Sequence, residues 1–174
     1  MSAISNIKVS FNIENNFLWK DALNNICKLN SFPAPVKKSN IIVIKCKYTF
    51  CIFEKKNNFI HFNVTGIKNF QSVDEFKTYF KNIFFPCEIL NFKIDNITAT
   101  FNLNNEINLF KLYEISNKVN YNPERFPGLF LKDFEKTCII FKNGKVIILG
   151  CKSEKEINLI WRKVLKQTLN VIII

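Results

Sequence analysis

The chain has 174 residues, of which 48% are hydrophobic and 22% are charged. This balance excludes intrinsic disorder and predicts a globular domain with a core of its own. Twenty-five lysines and arginines against fourteen aspartates and glutamates leave a formal charge of +11. Such a surplus favours a polyanion or an anionic membrane surface as the partner, although a lysine-rich solvated surface explains it equally well.

Residues that carry enzyme or metal chemistry are sparse. His61 is the only histidine, and the six cysteines lack the Cys-x-x-Cys spacing of zinc sites. We find no Ser/His/Asp set, carboxylate pair or glycine-rich phosphate loop, so we expect neither an enzyme nor a bound cofactor. No apolar run reaches the length of a transmembrane helix, and no stretch resembles a signal peptide. These features predict an intracellular, reduced protein without a membrane partner.

The first segment of the chain alternates like a half-buried strand. Residues 5–13 alternate between an apolar and a polar face, and residues 95–103 match them position by position at an offset of 90. The apolar faces are Ile7, Val9 and Phe11 in the first segment and Ile97, Ala99 and Phe101 in the second. The polar faces, which we expect to stay open, carry Asn6, Lys8, Asn96, Thr98 and Thr100. Such a match predicts two copies of one structural unit.

This repeat extends over most of the chain. Residues 17–29 and 107–119 each predict an amphipathic helix at the same offset. Two apolar strands, a turn and a strand ending on glycine follow in each copy. At Gly66 and Gly150 the offset is 84, because the first copy has a longer hairpin. Each copy then ends in a helix, for which the spacing predicts capping boxes at Ser72 with Glu75 and at Ser153 with Glu156.

The repeat predicts one α+β domain built from two pseudo-symmetric halves, residues 1–88 and 89–174. Each half is small for an independent core, so we expect the halves to share one sheet. The expected architecture is a curved antiparallel sheet with four helices on its convex face.

Two phenylalanines stand at the edges of a predicted hairpin in the second repeat. Phe126 lies within the proline-rich loop 121–128, and Phe141 precedes the turn signal Asn143-Gly144. A packed core rarely places a phenylalanine inside such a stiff loop. Both rings are therefore candidates for contact with a partner.

Three stretches of the second repeat resemble, in order, motifs of the TATA-box-binding protein family. They are Phe-Lys-Ile-Asp-Asn-Ile at 92–97, Tyr-Asn-Pro-Glu-Arg-Phe-Pro-Gly-Leu at 121–129, and Ile-Phe-Lys-Asn-Gly-Lys-Val with Leu-Gly-Cys-Lys at 140–152. The first repeat resembles the family more weakly, at Asn6-Ile7, Ile52-Phe53 and residues 64–68.

The resemblance implies a saddle that binds and bends A·T-rich double-stranded DNA through its minor groove. It implies a general transcription initiation factor that recruits a factor similar to transcription factor IIB and the RNA polymerase machinery. The implied location is the nucleus, or a cytoplasmic viral factory if the source is a virus; a parasite with an AT-rich genome is the other source we expect. The alternative is an interaction scaffold that keeps this fold with reduced or lost DNA binding.

The resemblance also assigns roles to individual residues. Phe53, Phe126 and Phe141 match intercalating phenylalanines, and Asn6 and Asn96 match a symmetric pair of amides that contact bases. The further DNA-contact residues that we predict are Lys8, Lys45, Thr65, Thr98, Lys132 and Lys145. On the loop, Glu124 matches an acidic partner-binding position, with Asn122 and Arg125 beside it.

Some positions depart from the family pattern. The offset of 90 sets Val36 opposite Phe126, whereas alignment of the strands sets Ser39 there, and Phe32 could substitute only if its loop shifted. Leu149 occupies the position in the second repeat that is equivalent to Thr65, and Lys8 occupies a position where the family has an apolar residue. We therefore expect the first repeat to lack its leading wedge, to kink DNA more weakly, and to show an altered or relaxed sequence preference.

Overall fold

A computed structural model describes residues 3–14, 19–55, 58–84, 87–133 and 136–173. The chain divides into two compact units, and each is described by itself. The first unit is Asn6–Asp95, and the second unit is Asn96–Ile174 together with Met1–Ser5. The predicted boundary between residues 88 and 89 precedes this division by seven residues, since the strand that begins at Leu90 belongs partly to each unit.

The first unit is an antiparallel sheet in the order β2-β3-β4-β5-β1, with two helices. Its elements are β1 (Ala3–Glu14), α1 (Trp19–Leu29), β2 (Val36–Lys38), β3 (Ile41–Lys45), β4 (Thr49–Lys55), β5 (Phe59–Ile67) and α2 (Gln71–Phe84).

Strand alternation builds the core of the first unit. The predicted apolar face of β1 is confirmed, because the side chains of Ile7, Val9 and Phe11 are buried. The Phe11 ring stacks on Phe62 of β5 at 5.1 Å and meets Phe80 of α2 edge-on at 4.8 Å. Aromatic packing of this kind adds to the hydrophobic stabilisation from burial. It also keeps α2 on one face of the sheet.

The second unit repeats this order of elements. Its sheet has the order β6-β11-β10-β9-β8, and β12 and β7 form a separate pair. The elements are β6 (Leu90–Asn102), β7 (Glu106–Ile107), α3 (Leu109–Ile115), β8 (Val119–Asn120), β9 (Leu129–Asp133), β10 (Lys136–Ile140), β11 (Lys145–Cys151), α4 (Glu154–Thr168), a 3₁₀ helix (Leu169–Val171) and β12 (Ile172–Ile173). The predicted hairpin is confirmed, since the Asn143-Gly144 turn joins β10 to β11.

The predicted helix 107–119 is wrong at both ends. The side chain of Asn108 accepts a hydrogen bond from Lys111 N at 3.0 Å, so Asn108 is the N-cap and α3 begins at Leu109. At the other end Ser116 has extended backbone angles, and Val119–Asn120 pairs with β9 instead. The strand ladder has overridden the local helical pattern here.

One predicted helix cap is confirmed and the other is wrong. Ser153 Oγ accepts from Glu156 N at 3.3 Å and caps α4, as predicted. In α2, Ser72 lies inside the helix and its N–H donates to Asn69 Oδ1 at 2.7 Å. Asn69 therefore takes the capping role that the spacing had assigned to Ser72.

The C-terminal residues pack onto the second unit. Val171 is buried, its carbonyl accepts from Asn108 N at 2.9 Å, and Ile172 and Ile173 pair with Ile107 and Glu106. The tail thus joins the start of α3, a role that the sequence had left open. Among the described residues, none of the helices is long and apolar enough to cross a membrane.

Candidate nucleic-acid interface

Each unit has a sheet face that lies opposite its helices, which we call its open face. Side chains alternate along the strands between the packed face and this open face. Most of the predicted site residues lie on the open face of one unit or the other. Among the described ranges, His, Cys, Asp and Glu do not gather in groups of three or more that could hold a metal ion.

The amides of Asn6 and Asn96 are held by the same contact in the two units. Gly66 N donates to Asn6 Oδ1 at 2.8 Å, and Gly150 N donates to Asn96 Oδ1 at 2.9 Å. Both glycines have positive φ, +104° and +91°, and each lies where the strand register shifts at a bulge. Since glycine adopts such angles without steric cost, the bulge presents its N–H to the asparagine.

This contact determines which way each amide faces. Only the oxygen of an asparagine side chain can accept a backbone N–H, so Oδ1 is committed to the protein. The Nδ2 group keeps its two donors; in Asn96 one of them makes a long 3.4 Å contact with Thr98 Oγ1. Each unit therefore presents an amide donor at an equivalent position of its open face.

The loop before β9 holds the Phe126 ring at the surface. Asn122 O accepts from both Arg125 N and Phe126 N, at 3.2 and 3.0 Å, which closes a tight turn. The ring is 37% exposed and lies 5.2 Å from Phe130 and 5.9 Å from Phe141. Phe126, which is exposed, and Phe141, which is half-buried, thus form an aromatic pair in the second unit.

Gly128 allows this aromatic pair to pack. A Cβ atom at Gly128 would lie 2.7 Å from both Phe126 Cε1 and Ile139 Cγ2, and 3.1 Å from Phe141 Cε1. Carbon atoms do not approach that closely without displacement. The glycine is therefore required by space between the two rings rather than by its backbone angles.

Among the residues that the structure describes, the first unit has no phenylalanine that pairs with Phe53 as Phe126 pairs with Phe141. Ile42 pairs with Ile52 in the first unit, and Leu129 makes the equivalent pair with Ile140 in the second. Ser39 precedes Ile42 by as many residues as Phe126 precedes Leu129. Ser39, rather than Val36, is therefore the equivalent of Phe126. Ser39 is an exposed turn residue with φ of +51°. Val36 is exposed on β2, and Phe32 N is bound to Cys27 O at the end of α1.

The predicted lysines and threonines lie on the strands in related positions. Lys45 is exposed and stands opposite Thr49, while Lys132 stands opposite Thr137 with its side chain outside the described residues. Lys145 is exposed, and Lys8 is half-buried on β1. The threonines of the predicted site, Thr65 and Thr98, are half-buried on β5 and β6.

The predicted partner residues share the loop of Phe126. Asn122, Glu124 and Arg125 are all exposed there. The carbonyl of Asn122 anchors the turn, so its backbone has a structural role while the three side chains face solvent. The loop therefore offers charges of both signs beside an aromatic ring.

His61, to which the sequence analysis gave no site role, lies beside Phe53 in the first unit. It stands opposite Phe53 of β4 and Asn12 of β1, its Nδ1 lies 2.8 Å from Asn12 Oδ1, and its ring centre lies 6.0 Å from that of Phe53. The offset of 84 that relates Gly66 to Gly150 also relates His61 to Lys145.

Comparison with known proteins identifies proteins that are similar to this chain in sequence and in fold. The family model described as "Transcription factor TFIID (or TATA-binding protein, TBP)" matches residues 91–170. A TATA-box-binding protein of Aeropyrum pernix is 41% identical over 76 residues, which are 42% of this chain and 37% of the relative. The TBP-related factor of Drosophila melanogaster is 34% identical over 100 residues, 53% of this chain and 45% of the relative. The chain thus covers less than half the length of these curated relatives.

The structural likeness is more extensive than the sequence likeness. Methanococcus jannaschii TBP matches 98% of this chain and 99% of its own with a TM-score of 0.75, at 24% identity. This match confirms the predicted α+β fold class. The sequence is thus similar to TATA-box-binding proteins mainly over the second repeat, and the fold is similar to theirs over almost the whole chain.

Proposed function

We propose that this chain is a general transcription initiation factor that binds TA-rich promoter DNA through the minor groove and bends it. The similarity of residues 91–170 to the family model and the shared fold support this function. The observation that carries it is the pair of asparagine amides, each held by the N–H of a bulge glycine with Nδ2 as the remaining donor. We infer no catalytic activity for it.

The amides match the chemistry of the minor groove. At A·T pairs the groove offers only acceptors, A N3 and T O2. Asn6 and Asn96 would each direct a donor toward them, and the fixed oxygen prevents the amide from turning its acceptor to the DNA. Preordering of this kind lowers the entropy lost on binding.

Phe126 and Phe141 would act as the wedge of the second unit. Apolar side chains that enter a base step unstack it and kink the duplex, as in the minor-groove binders of which this family is a standard example. TA steps unstack most easily, so the wedge favours TA-rich sites through deformability. With Phe53 alone in the first unit, we propose a weaker kink there.

The lysines would contact the phosphate backbone. Lys45 and Lys145 are exposed, Lys8 lies on β1 and Lys132 on β9, and the whole chain carries +11. Phosphate contacts set the register of a protein on DNA and make its affinity fall with salt. Thr65 and Thr98 would line the groove between these contacts.

The loop of Asn122, Glu124 and Arg125 would bind an initiation factor similar to transcription factor IIB, which in turn recruits RNA polymerase. Its exposed charges leave it available for a partner while Phe126 engages DNA. Such a factor would act where the genome is transcribed, in the nucleus or in a cytoplasmic viral factory.

A bending assay on a TA-rich duplex tests the proposal. The duplex carries a fluorophore at each end, so that anisotropy gives Kd and energy transfer reports the bend. The double variant Phe126→Ala/Phe141→Ala should lose the bend and bind at least about tenfold more weakly, since each ring–base contact contributes about 1–3 kcal/mol. Phe110→Ala is the matched control, because Phe110 is an exposed phenylalanine of α3 outside the site.

Absence of binding at moderate salt, or a double variant that behaves like the control, would overturn the DNA-binding function. The interaction scaffold would then be the better description. The missing second wedge of the first unit is the observation that keeps this alternative open.

A further inference from the structure

The first unit closes its outer strand pair with a tight turn, where the second unit has the loop 121–128. Lys38 of β2 pairs with Ile41 of β3, so Ser39 and Asn40 alone form the turn between them. Ser39 has a φ of +51°, at which a bulky side chain is strained. The tight turn therefore accepts a serine at a place where a phenylalanine would be costly.

Ile41 is the equivalent of Gly128. Ile42 and Leu129 are equivalent in strand register, so the residues directly before them are equivalent too. In the second unit a Cβ atom at Gly128 would lie 2.7 Å from Phe126 Cε1. The side chain of Ile41 thus occupies in the first unit the space that the Phe126 ring uses in the second.

Ile41 lies beside Phe53 on the open face of the first unit. The two residues stand directly opposite each other on β3 and β4. Directly opposite side chains share one face of a sheet, with Cβ atoms about 4.5–5.5 Å apart. Their neighbours Ile42 and Ile52 are buried on the packed face, whereas Ile41 and Phe53 are both half-buried. The open face of the first unit therefore carries an apolar pair of one aliphatic and one aromatic side chain.

The surroundings of this pair match a DNA duplex. Lys38 stands opposite Ile41 on the outer side, shares its face and is exposed. A positive charge therefore flanks the apolar pair at the edge of the sheet. An apolar side chain can enter a base step while a neighbouring cation contacts the phosphate backbone.

We propose that Ile41 is a further DNA-contact residue, which together with Phe53 forms the wedge of the first unit. The inference rests on the proposed function and deepens it: the second unit inserts two aromatic rings, and the first inserts an isoleucine beside its one phenylalanine. Isoleucine is among the apolar residues with which minor-groove proteins unstack base steps. Because its side chain is smaller than a phenylalanine ring, the kink of the first unit remains the weaker of the two.

The experiment measures Kd and bend for the end-labelled TA-rich duplex with the variant Ile41→Thr. Threonine keeps the β-branched shape that a strand favours but replaces the ethyl group with a hydroxyl. Kd should rise about four- to fifteenfold, since each apolar carbon withheld from water corresponds to about a fourfold change in affinity. The energy transfer between the duplex ends should fall part of the way to that of the free duplex.

Val43→Thr is the matched control. Val43 is half-buried on the same face of β3, but it pairs with Val36 and Cys51 and not with Phe53. The control makes the same change from an apolar to a polar β-branched side chain outside the pair. It should keep the bend of the unmodified chain. Equal loss of bend in both variants would show an effect of the whole face and would overturn the role of Ile41.

Ile41→Phe tests the proposal in the opposite direction. A ring at this place would stand opposite Phe53, and aromatic pairs across two strands are favourable. The larger wedge should increase the bend. A folded Ile41→Phe variant with an unchanged or smaller bend would overturn the proposal, also if Ile41→Thr fails to fold.

The outcomes separate this proposal from the proposed function. If the unmodified chain binds and bends the duplex and Ile41→Thr does so equally well, the role of Ile41 is overturned and the proposed function stands. If the unmodified chain does not bind or does not bend the duplex, both are overturned. Urea unfolding of each variant distinguishes the loss of a DNA contact from the loss of the fold.

Discussion

Gly128→Ala tests whether the space between the Phe126 and Phe141 rings matters for the proposed function. The added Cβ would lie 2.7 Å from Phe126 Cε1 and from Ile139 Cγ2, whereas ordinary contacts begin at 3.4 Å. Ile139 is held between β9 and β11, but Phe126 sits on a loop and is 37% exposed. The cheaper way to relieve the clash is therefore to displace the Phe126 ring.

This reasoning predicts a small loss of stability and a large loss of bending. Overpacking in a rigid core costs about 1–3 kcal/mol, and because the Phe126 ring is partly exposed, the loss of stability in Gly128→Ala should stay at about 1 kcal/mol. Urea unfolding gives the free energy of unfolding, and the end-labelled duplex reports the bend. Bending should fall to that of Phe126→Ala. An unchanged bend, or a loss well above about 3 kcal/mol with bending retained, would refute the idea that the glycine serves the wedge.

Four further predictions concern Asn96, Lys145, Cys151 and Cys51. Asn96→Asp keeps an oxygen that can accept from Gly150 N but replaces the Nδ2 donor with an acceptor. The free energy of unfolding, measured in urea, should therefore stay the same. The free energy of DNA binding, measured by anisotropy, should become weaker by several kcal/mol. Lys145→Gln should reduce the slope of log affinity against log salt by about one, measured by titrations at increasing sodium chloride, and an unchanged slope would contradict a phosphate contact. Burial raises the pKa of the Cys151 thiol above its ordinary 9.0, so iodoacetamide should label it far more slowly in the native than in the unfolded chain. The same shift means that stability is lost as pH rises through the ordinary thiol range, because the unfolded chain releases that proton first. Cys51, half-buried on the open face beside Phe53, should be labelled in the free protein and protected by DNA, as mass spectrometry of the labelled peptides will show.

Local patterns predicted much of the fold. Alternation along residues 5–13 and 95–103 assigned the buried and open faces of β1 and β6, because side chains on a strand change face at every residue. The Asn143-Gly144 turn and the loop around Phe126 were visible for a similar reason, since their turn residues act over a few positions. The offset of 90 showed that the chain contains two copies of one unit.

Other features depended on partners distant in the sequence. The helical pattern of residues 107–119 extended past Ile115, yet β8 formed because β9 offered a ladder that the local pattern does not contain. Asn69 replaced Ser72 as the cap of α2, since the choice between neighbouring caps depends on where the chain enters the helix. Neither outcome follows from spacing alone.

The sequence by itself determined the repeated unit, the stiff loop that holds Phe126 and the equivalent positions of Asn6 and Asn96. Only the tertiary structure decided what those residues touch. The tie between Asn96 and Gly150, the alignment of Ser39 with Phe126, and the place of His61 beside Phe53 all depend on strand register. Register is set by bulges, loop lengths and the packing of both strands at once, so residues as far apart in the sequence as Asn96 and Gly150 come together only when the sheet forms.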